Sequence, residues 1–394
     1  MRKIVERIAA GIITCSGFLT SIVILLIVVF LFSEGLGLFS SKTIEEGYSL
    51  VVNKANPVED LDARQIKEIF DEDITEWKDV GGTGGKIRLL RFDDMESLFS
   101  RERLGENYEH AEACLDSLIK ADAGIIAFIP DSYASKLKNG RMLDGHEISV
   151  GEVLGGNEWF PTATPAPQFG FVPLILGTVW VTVFAIIFAL PFGLSVSIYM
   201  SEVASVRTCK MLRPIIELLN GIPSVVYGFF GLTVIVPILQ DVFGLPVGES
   251  GLAGALVLAI MALPTIITVS QDAMQNCPRA MREASLALGA SRWQTIYKVV
   301  MPYSVSGITS AVVLGIGRAF GETMAVLMVT GNAAVIPLSI TDPLRTIPAT
   351  IAAELGEAPA GGPHYQSLFL LGVVLFFITL IINTSVEYIS SRNK

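Results

Sequence analysis

With three histidines and four cysteines in 394 residues, the chain has little with which to hold a metal or build a disulfide framework. His110, His146 and His364 are scattered with no ligand spacing, and Cys15, Cys114, Cys209 and Cys277 lie far apart, so neither a metal nor another cofactor is expected. Only Cys114 falls in the long polar segment, which excludes an internal disulfide there. Charge is also scarce, at 17% of residues against 51% hydrophobic. A nucleotide site is lacking too. GGTGGKI at residues 81–87 approaches a P-loop, but that motif needs four residues between its glycines and Ser or Thr after the Lys, so that backbone N–H groups cradle phosphate and the hydroxyl reaches magnesium. Here Gly81 and Gly85 enclose three residues and Ile87 follows Lys86, so the run reads as a turn ahead of a strand. Any ATP that drives this chain is hydrolysed by another polypeptide.

What the chain does have is apolar runs near or above the roughly 20 residues that span a bilayer. Six are expected, near residues 8–32, 172–200, 215–239, 252–269, 305–329 and 368–388. Pro173, Pro191, Pro223, Pro264, Gly315, Gly317 and Gly321 interrupt them, as membrane helices tolerate when neighbours satisfy the backbone. Small residues such as Gly315 and Ala319 then serve as points of close helix approach. The first run is read as a retained anchor, since its apolar stretch exceeds the 7–15 residues of a signal peptide and no small-x-small cleavage site follows.

Basic residues in short loops set the orientation. Arg2, Lys3 and Arg7 precede the first span, Arg207, Lys210 and Arg213 follow the second, Arg279, Arg282, Arg292 and Lys298 precede the fifth, and Arg392 and Lys394 end the chain. The two short loops on the other side hold only Arg345. Both termini are therefore expected in the cytoplasm.

Within the fifth run, Arg318 and Glu322 stand in otherwise apolar, Gly- and Ala-rich sequence. A charge at the centre of a membrane helix costs roughly 2.5–3.5 kcal/mol on insertion scales, so such residues face a bundle interior or an aqueous path. At i and i+4 in one helix they would share a face. Either each neutralises the other as bundle glue, or the pair lines a permeation pathway.

Residues 40–167 break the pattern. They are polar and carry no spanning run, with 14 basic against 25 acidic residues, so the chain's net charge of −10 resides essentially here. A net-acidic surface disfavours nucleic acid and does not attract anions at long range. The segment reads as an extracytoplasmic α/β insert: Asp62 and Gln65 form a capping box ahead of a helix whose Ile66, Ile69 and Phe70 share one face. Residues 86–92 alternate as a strand, and 124–129 are a buried-strand run. TATPAP at residues 162–167 is a linker. The domain reading is thus a first transmembrane helix (1–39), the insert (40–167) and a core of five spans (168–394) with a cytoplasmic loop at 278–302.

That loop reads MREASLALGASRWQTIYKVVMPYSVSG. It resembles the coupling loop of ABC-importer permeases, whose pattern is E-A-A, three residues, G, nine residues, I-x-L-P. Glu283, Ala284 and Ser285 match its start, Gly289 falls at the required spacing, and Val299, Met301 and Pro302 close it; Ser285, Val299 and Met301 depart mildly from the pattern. Physically this is a helix ended by a glycine able to take a left-handed conformation, then a short helix starting near Ser291. Such a knob can seat in a partner's groove, the alternative being an amphipathic interfacial helix pair.

NGIPSVVYGFFGL at 220–232, GRAFGETMAVLMVTGNA at 317–333, and FGFVPLILGTVWVT and SIYMSEVA around the second span are similar to phosphate-importer permeases, of the PstC type rather than the PstA type. The resemblance implies a type I ABC-importer permease: an α-helical, polytopic protein of the cell inner membrane without its own ATPase site. It would work with two copies of an ATP-binding subunit, a second, PstA-type permease and an extracytoplasmic phosphate-binding protein. Positions matching Arg318 and Glu322 are then expected to line the path, where an Arg fork suits phosphate. Much of the insert, about residues 48–143, resembles part of a phosphate-binding-protein lobe. After Arg91, however, FDDMES stands where that family has a hydroxyl-bearing turn, with Asp93 and Asp94 expected to occupy the helix-end donors. Permeation of another oxyanion, or a secondary anion transporter, are the competing readings; the latter needs no coupling loop and would show inverted repeats, which the sequence does not offer.

Overall fold

A computed structural model describes every residue except Met1, Glu46, Asn107, Asp144, His146, Asn393 and Lys394; side chains at 2–9, 386, 387 and 389–392 are also outside the described set. His146, Lys394 and the side chains of Arg2, Lys3, Arg7 and Arg392 therefore fall outside the description. The chain divides into two compact units, Met1–Gly35 with Phe171–Lys394, and Leu36–Gly170.

The first unit is helical. Among the described residues six helices are long and apolar enough to cross a membrane: Ala10–Ser40, Val172–Val203, Ser224–Phe243, Gly251–Gln275, Arg292–Phe320 and Pro363–Ser385. The fourth is the most buried and packs against the second and fifth. Small residues allow it: a Cβ added at Gly193 would lie 2.7 Å from Ile266 Cγ2, and one at Gly307 only 2.3 Å from Ala273 Cβ. Gly315 likewise sits against Ile266, and Ala319 is buried in the central cluster with Val257, Met261 and Val326. Without a hydrophobic drive between helices in lipid, this close approach is what gains dispersion energy. Pro191 and Pro264 lie inside two of these helices without ending them, and one turn on, the Ser195 and Thr268 hydroxyls donate back to the Pro191 and Pro264 carbonyls at 2.7 Å and 2.8 Å.

Two expected runs are not single helices. The third, expected to start near Ile215, is divided: the helix Val206–Gly221 ends inside it, Ile222 and Pro223 are extended, and a new helix begins at Ser224. Proline disfavours helical backbone in the residue before it and offers no N–H to continue the ladder. The fifth run also splits. Its helix ends at Phe320, Gly321 takes φ −90°, ψ 0°, Thr323 takes φ −113°, and a second helix runs over Met324–Val329.

In the second unit, four strands pair in the order β2-β3-β1-β4: β1 Tyr48–Asn53, β2 Arg88–Arg91, β3 Ile125–Pro130 and β4 Gly140–Met142. β2 runs parallel to β3, and β1 is antiparallel to β3 and β4, with Val51 opposite Ala127. Alternation splits the side chains of β3 between two cores. Ile126 and Phe128 join Leu50, Val52, Ile66 and Trp77, while Ile125, Ala127 and Ile129 join Val51, Leu90, Leu115 and Ile119. A sheet covered on both faces explains the uninterrupted apolar run. The Asp62–Gln65 capping box is present, with Asp62 Oδ1 accepting from the Gln65 N–H at 2.6 Å, and Ile66, Ile69 and Phe70 are buried as expected. Glycines 81, 84 and 85 all have positive φ, which makes the GGTGGK run a turn.

Candidate functional site

Two places in the membrane unit concentrate polar geometry. In the loop after the fourth span, Arg279–Ala287 forms a helix capped by Leu288. Gly289 follows at φ +85°. Its N–H bonds the Leu286 carbonyl at 3.0 Å, and the Ala290 N–H reaches the Ser285 carbonyl at 3.2 Å. These are the paired bonds of a Schellman ending, which needs a left-handed residue at that point. Ser291 then caps Arg292–Thr295, its Oγ accepting from the Gln294 N–H at 3.3 Å and the Gln294 side chain accepting from the Ser291 N–H at 2.7 Å. A π-helical turn, Ile296–Val300, leads into the fifth helix at Met301, where Pro302, lacking an N–H, is exposed.

Ser285, which departs from the alanine of the pattern, puts its hydroxyl 3.0 Å from that of Thr295 and so ties the two short helices together. Arg282 fixes the knob to the bundle, bonding the Met274 carbonyl at 2.8 Å and pairing with Glu202 at 2.8 Å, both side chains mostly buried. Glu283 and Ala284 are exposed, as is Gly289. Beyond them the tip is apolar and bare: Leu288 is 90% exposed, Tyr297 75% and Trp293 68%. An anchored knob with exposed aromatic and aliphatic side chains can serve as a docking surface for a protein or lie at a membrane interface.

The second place is around Arg318. It lies in the last turn of the fifth helix and is partly exposed rather than buried. Among the described residues its guanidinium pairs with no carboxylate; Nη1 donates to Asn220 Oδ1 at 2.5 Å. Asn220 is the penultimate residue of the helix Val206–Gly221, ahead of the Pro223 break, and this last turn is pinned by the Tyr227 hydroxyl, which donates to the Leu219 carbonyl at 2.7 Å. Glu322 does not share a helix face with Arg318, which corrects the i, i+4 expectation. It stands in the break after Gly321, and its Oε1 accepts the Ala325 N–H at 3.2 Å, satisfying one of the orphan donors at the start of Met324–Val329. One of the two carboxylate oxygens is thereby turned to a helix end. A guanidinium in a membrane unit held by a neutral amide keeps its full charge and can bind an oxyanion through its remaining donors.

The sequence pointed to Arg318 but not to its partner Asn220, and to the loop but not to Arg282, Glu202 and Thr295 as what anchors it. Asn220 opens the string NGIPSVVY and Glu202 lies within SIYMSEVA, yet neither position has a periodic or spacing signal that pairs it across the fold. His364 bonds Glu354 at 2.9 Å, and Glu354 also pairs with Arg345, whose Nε donates to the Asn332 carbonyl at 3.0 Å. In the α/β unit, Asp94 accepts from the Arg91 N–H at 3.2 Å and the helix Met95–Leu98 has no side-chain cap. The expectation that Asp93 and Asp94 occupy the helix-end donors holds for Asp94, which takes the N–H of Arg91, the extended residue that opens the 3-10 turn Phe92–Asp94, and among the described residues no such bond joins Asp93 to the helix end.

Known proteins are similar to this chain in sequence. It is 41% identical over 283 residues to a probable ABC transporter permease protein, YqgH, of Bacillus subtilis, covering 72% of this chain and 89% of that protein. It is 36% identical to the phosphate transport system permease protein PstC of Mesorhizobium japonicum, over 61% of this chain and 78% of the relative. Among solved structures, it is similar to an inward-facing MetNI methionine ABC transporter chain at 18% identity and a TM-score of 0.45, over 56% of this chain and 94% of that one. Residues 189–394, which include both the loop and Arg318, match the family described as the binding-protein-dependent transport system inner membrane component. With over half its length inside that match and with such a relative, this chain is a multi-pass membrane protein belonging to the family of ABC-importer permeases.

Proposed function

We propose that this chain is the PstC-type permease subunit of an ATP-driven importer that carries inorganic phosphate across the cell membrane into the cytoplasm. The observation that carries the substrate reading is Arg318, a cation held in the membrane unit by the neutral Asn220 while Glu322 Oε1 accepts from a helix-end N–H. The similarity to a protein named as a phosphate transport permease agrees with it. Arg318 then meets the anion midway, with Glu322 shaping the path beside it. Glu283, Ala284, Ser285, Gly289 and Pro302 build the loop that receives the stroke of an ATP-binding subunit.

Two such subunits, a PstA-type second permease and an extracytoplasmic phosphate-binding protein complete the assembly. The basic loops put both termini in the cytoplasm and the insert outside. The domain division at 1–39, 40–167 and 168–394, with the coupling loop at 278–302, follows from the same reading. Affinity purification of the chain from its native membrane should bring down an ATP-hydrolysing chain in stoichiometric amount. Recovery of an intact, transport-competent chain without one would count against the assignment.

The α/β unit, in this reading, docks the delivery protein or steadies the outer gate and does not bind phosphate itself. Its basic residues near the strand end are already engaged: Arg88 lies 3.8 Å from Asp122, and the Arg91 guanidinium stacks 5.5 Å from the Phe70 ring centre. Asp93 and Asp94 follow, and the segment's acidic excess adds repulsion. Calorimetric titration of phosphate into a fragment of residues 41–164 should give no binding heat. Saturable binding in the micromolar range would overturn this part, whereas no heat together with lost uptake on deleting the fragment supports docking or gating.

A further inference from the structure

Arg318 needs an acceptor to fix the direction of its fork, and the choice of acceptor decides how much charge remains for a substrate. We propose that Asn220 is the positioning residue of the oxyanion path: its side-chain carbonyl aims the Arg318 guanidinium while leaving its charge uncancelled, and its amide group adds donors of the same sense. This rests on the reading of Arg318 as the group that meets the oxyanion.

Four observations converge. The contact is short, Nη1 to Oδ1 at 2.5 Å, and links two segments 98 residues apart. Asn220 is itself held, because its helix stops at the Pro223 break and the Tyr227 hydroxyl ties down the neighbouring Leu219 carbonyl at 2.7 Å. Open space adjoins both partners. Cβ atoms built on Gly221, next to Asn220, and on Gly317, next to Arg318, meet nothing within 4 Å. Finally, the nearest acidic residue in sequence, Glu322, bonds the Ala325 N–H.

With Oδ1 turned to the guanidinium, Asn220 still has two side-chain N–H donors to offer, and Arg318 has donors only. A site dominated by donors around an uncancelled cation, beside open space, favours an anion over a cation. A carboxylate at position 220 would aim the fork at least as well, since charge-assisted bonds are the stronger ones, but it would neutralise the cation. Orientation and charge are thus separable here, and only a neutral acceptor supplies both.

The separation gives a test that a merely structural role would fail. Phosphate uptake is measured in proteoliposomes holding the assembled transporter with wild type, Asn220→Ala, Asn220→Asp and Arg318→Gln, each normalised to inserted complex and basal ATP hydrolysis. Asn220→Ala is expected to raise the apparent KM for phosphate on the order of tenfold, the scale of one hydrogen bond to a charged group, with a smaller change in maximal rate. Asn220→Asp, though isosteric and able to keep the bond, is expected to be worse than Asn220→Ala. A structural role predicts the reverse order, so an Asp variant transporting as well as or better than the Ala variant overturns the proposal. If Arg318→Gln transports normally, the reading beneath it falls; if Arg318→Gln is dead while both Asn220 variants behave as wild type, that reading stands and Asn220 alone is removed from it.

Discussion

Phosphate uptake by the assembled transporter is expected to fall by about a hundredfold or more when Arg318 is replaced by Gln, since a fork loses at least two charge-assisted hydrogen bonds to the anion together with the charge behind them. Arg318→Lys should also fail largely. The ammonium is a point charge with no planar fork, and one short cluster of donors cannot both keep the Asn220 carbonyl and reach outward to the substrate. Glu322→Gln should cost far less, because the amide carbonyl can still accept the Ala325 N–H that Glu322 Oε1 now takes at 3.2 Å. Initial rates of labelled phosphate uptake in vesicles measure all three. Normal transport by Arg318→Gln would reduce the residue to a structural one.

The second large effect concerns coupling. Gly289 sits at φ +85° in a Schellman ending, and nothing lies within 4 Å of where its Cβ would be. The penalty for a side chain is therefore in the backbone and not in a clash with neighbours. A left-handed conformation costs an ordinary residue roughly 1–2 kcal/mol, and a β-branched one more. Gly289→Val relieves that strain by leaving the left-handed region, which breaks the Ala290 to Ser285 bond and re-aims the Ser291–Thr295 turn with Trp293 at its tip. Insertion should survive while ATP hydrolysis no longer drives uptake. Gly289→Asn, which tolerates left-handed backbone, should retain most of the coupling. Uptake and ATP turnover measured on the same vesicles give the ratio, and full coupling in the Val variant would remove the loop from the mechanism.

These two expectations differ in how much of their basis could be read in the sequence. Gly289 was legible because helix endings are local: a capping run, a glycine and a second cap at Ser291 specify the geometry within about ten residues. The same holds for the Asp62–Gln65 box and for the Ile125–Ile129 strand, whose unbroken apolar run reflects a core on each face. The Arg318 site was legible only in part. An arginine amid apolar residues announces itself by cost, but its partner, Asn220, is 98 positions away in the helix Val206–Gly221 and is brought near only by the tertiary fold.

Where local readings failed, hydropathy had overridden backbone chemistry. Ile215 to Leu239 is apolar enough to count as one span, yet Pro223 divides it and forces Ile222 into an extended conformation. Residues 305–329 likewise look continuous, but Gly321 and the β-branched Thr323 permit a break, and the Glu322 carboxylate stabilises it by capping the helix Met324–Val329. Both breaks fall at the polar cluster. In a membrane, irregular backbone is tolerated only where it is buried in protein or lines an aqueous cavity, and the proposed path through Arg318 would place both breaks beside such a cavity.

Whether this chain carries phosphate inward at the expense of ATP is decided in sealed liposomes that contain the chain with its ATP-binding subunits and companion permease. ATP is enclosed on the subunit side, and binding protein and labelled phosphate are supplied on the other. Phosphate should accumulate against its gradient in a manner that requires ATP, requires the binding protein and is absent with Arg318→Gln. Accumulation that proceeds without ATP, or that is driven equally by an ion gradient, would contradict an ATP-driven phosphate importer.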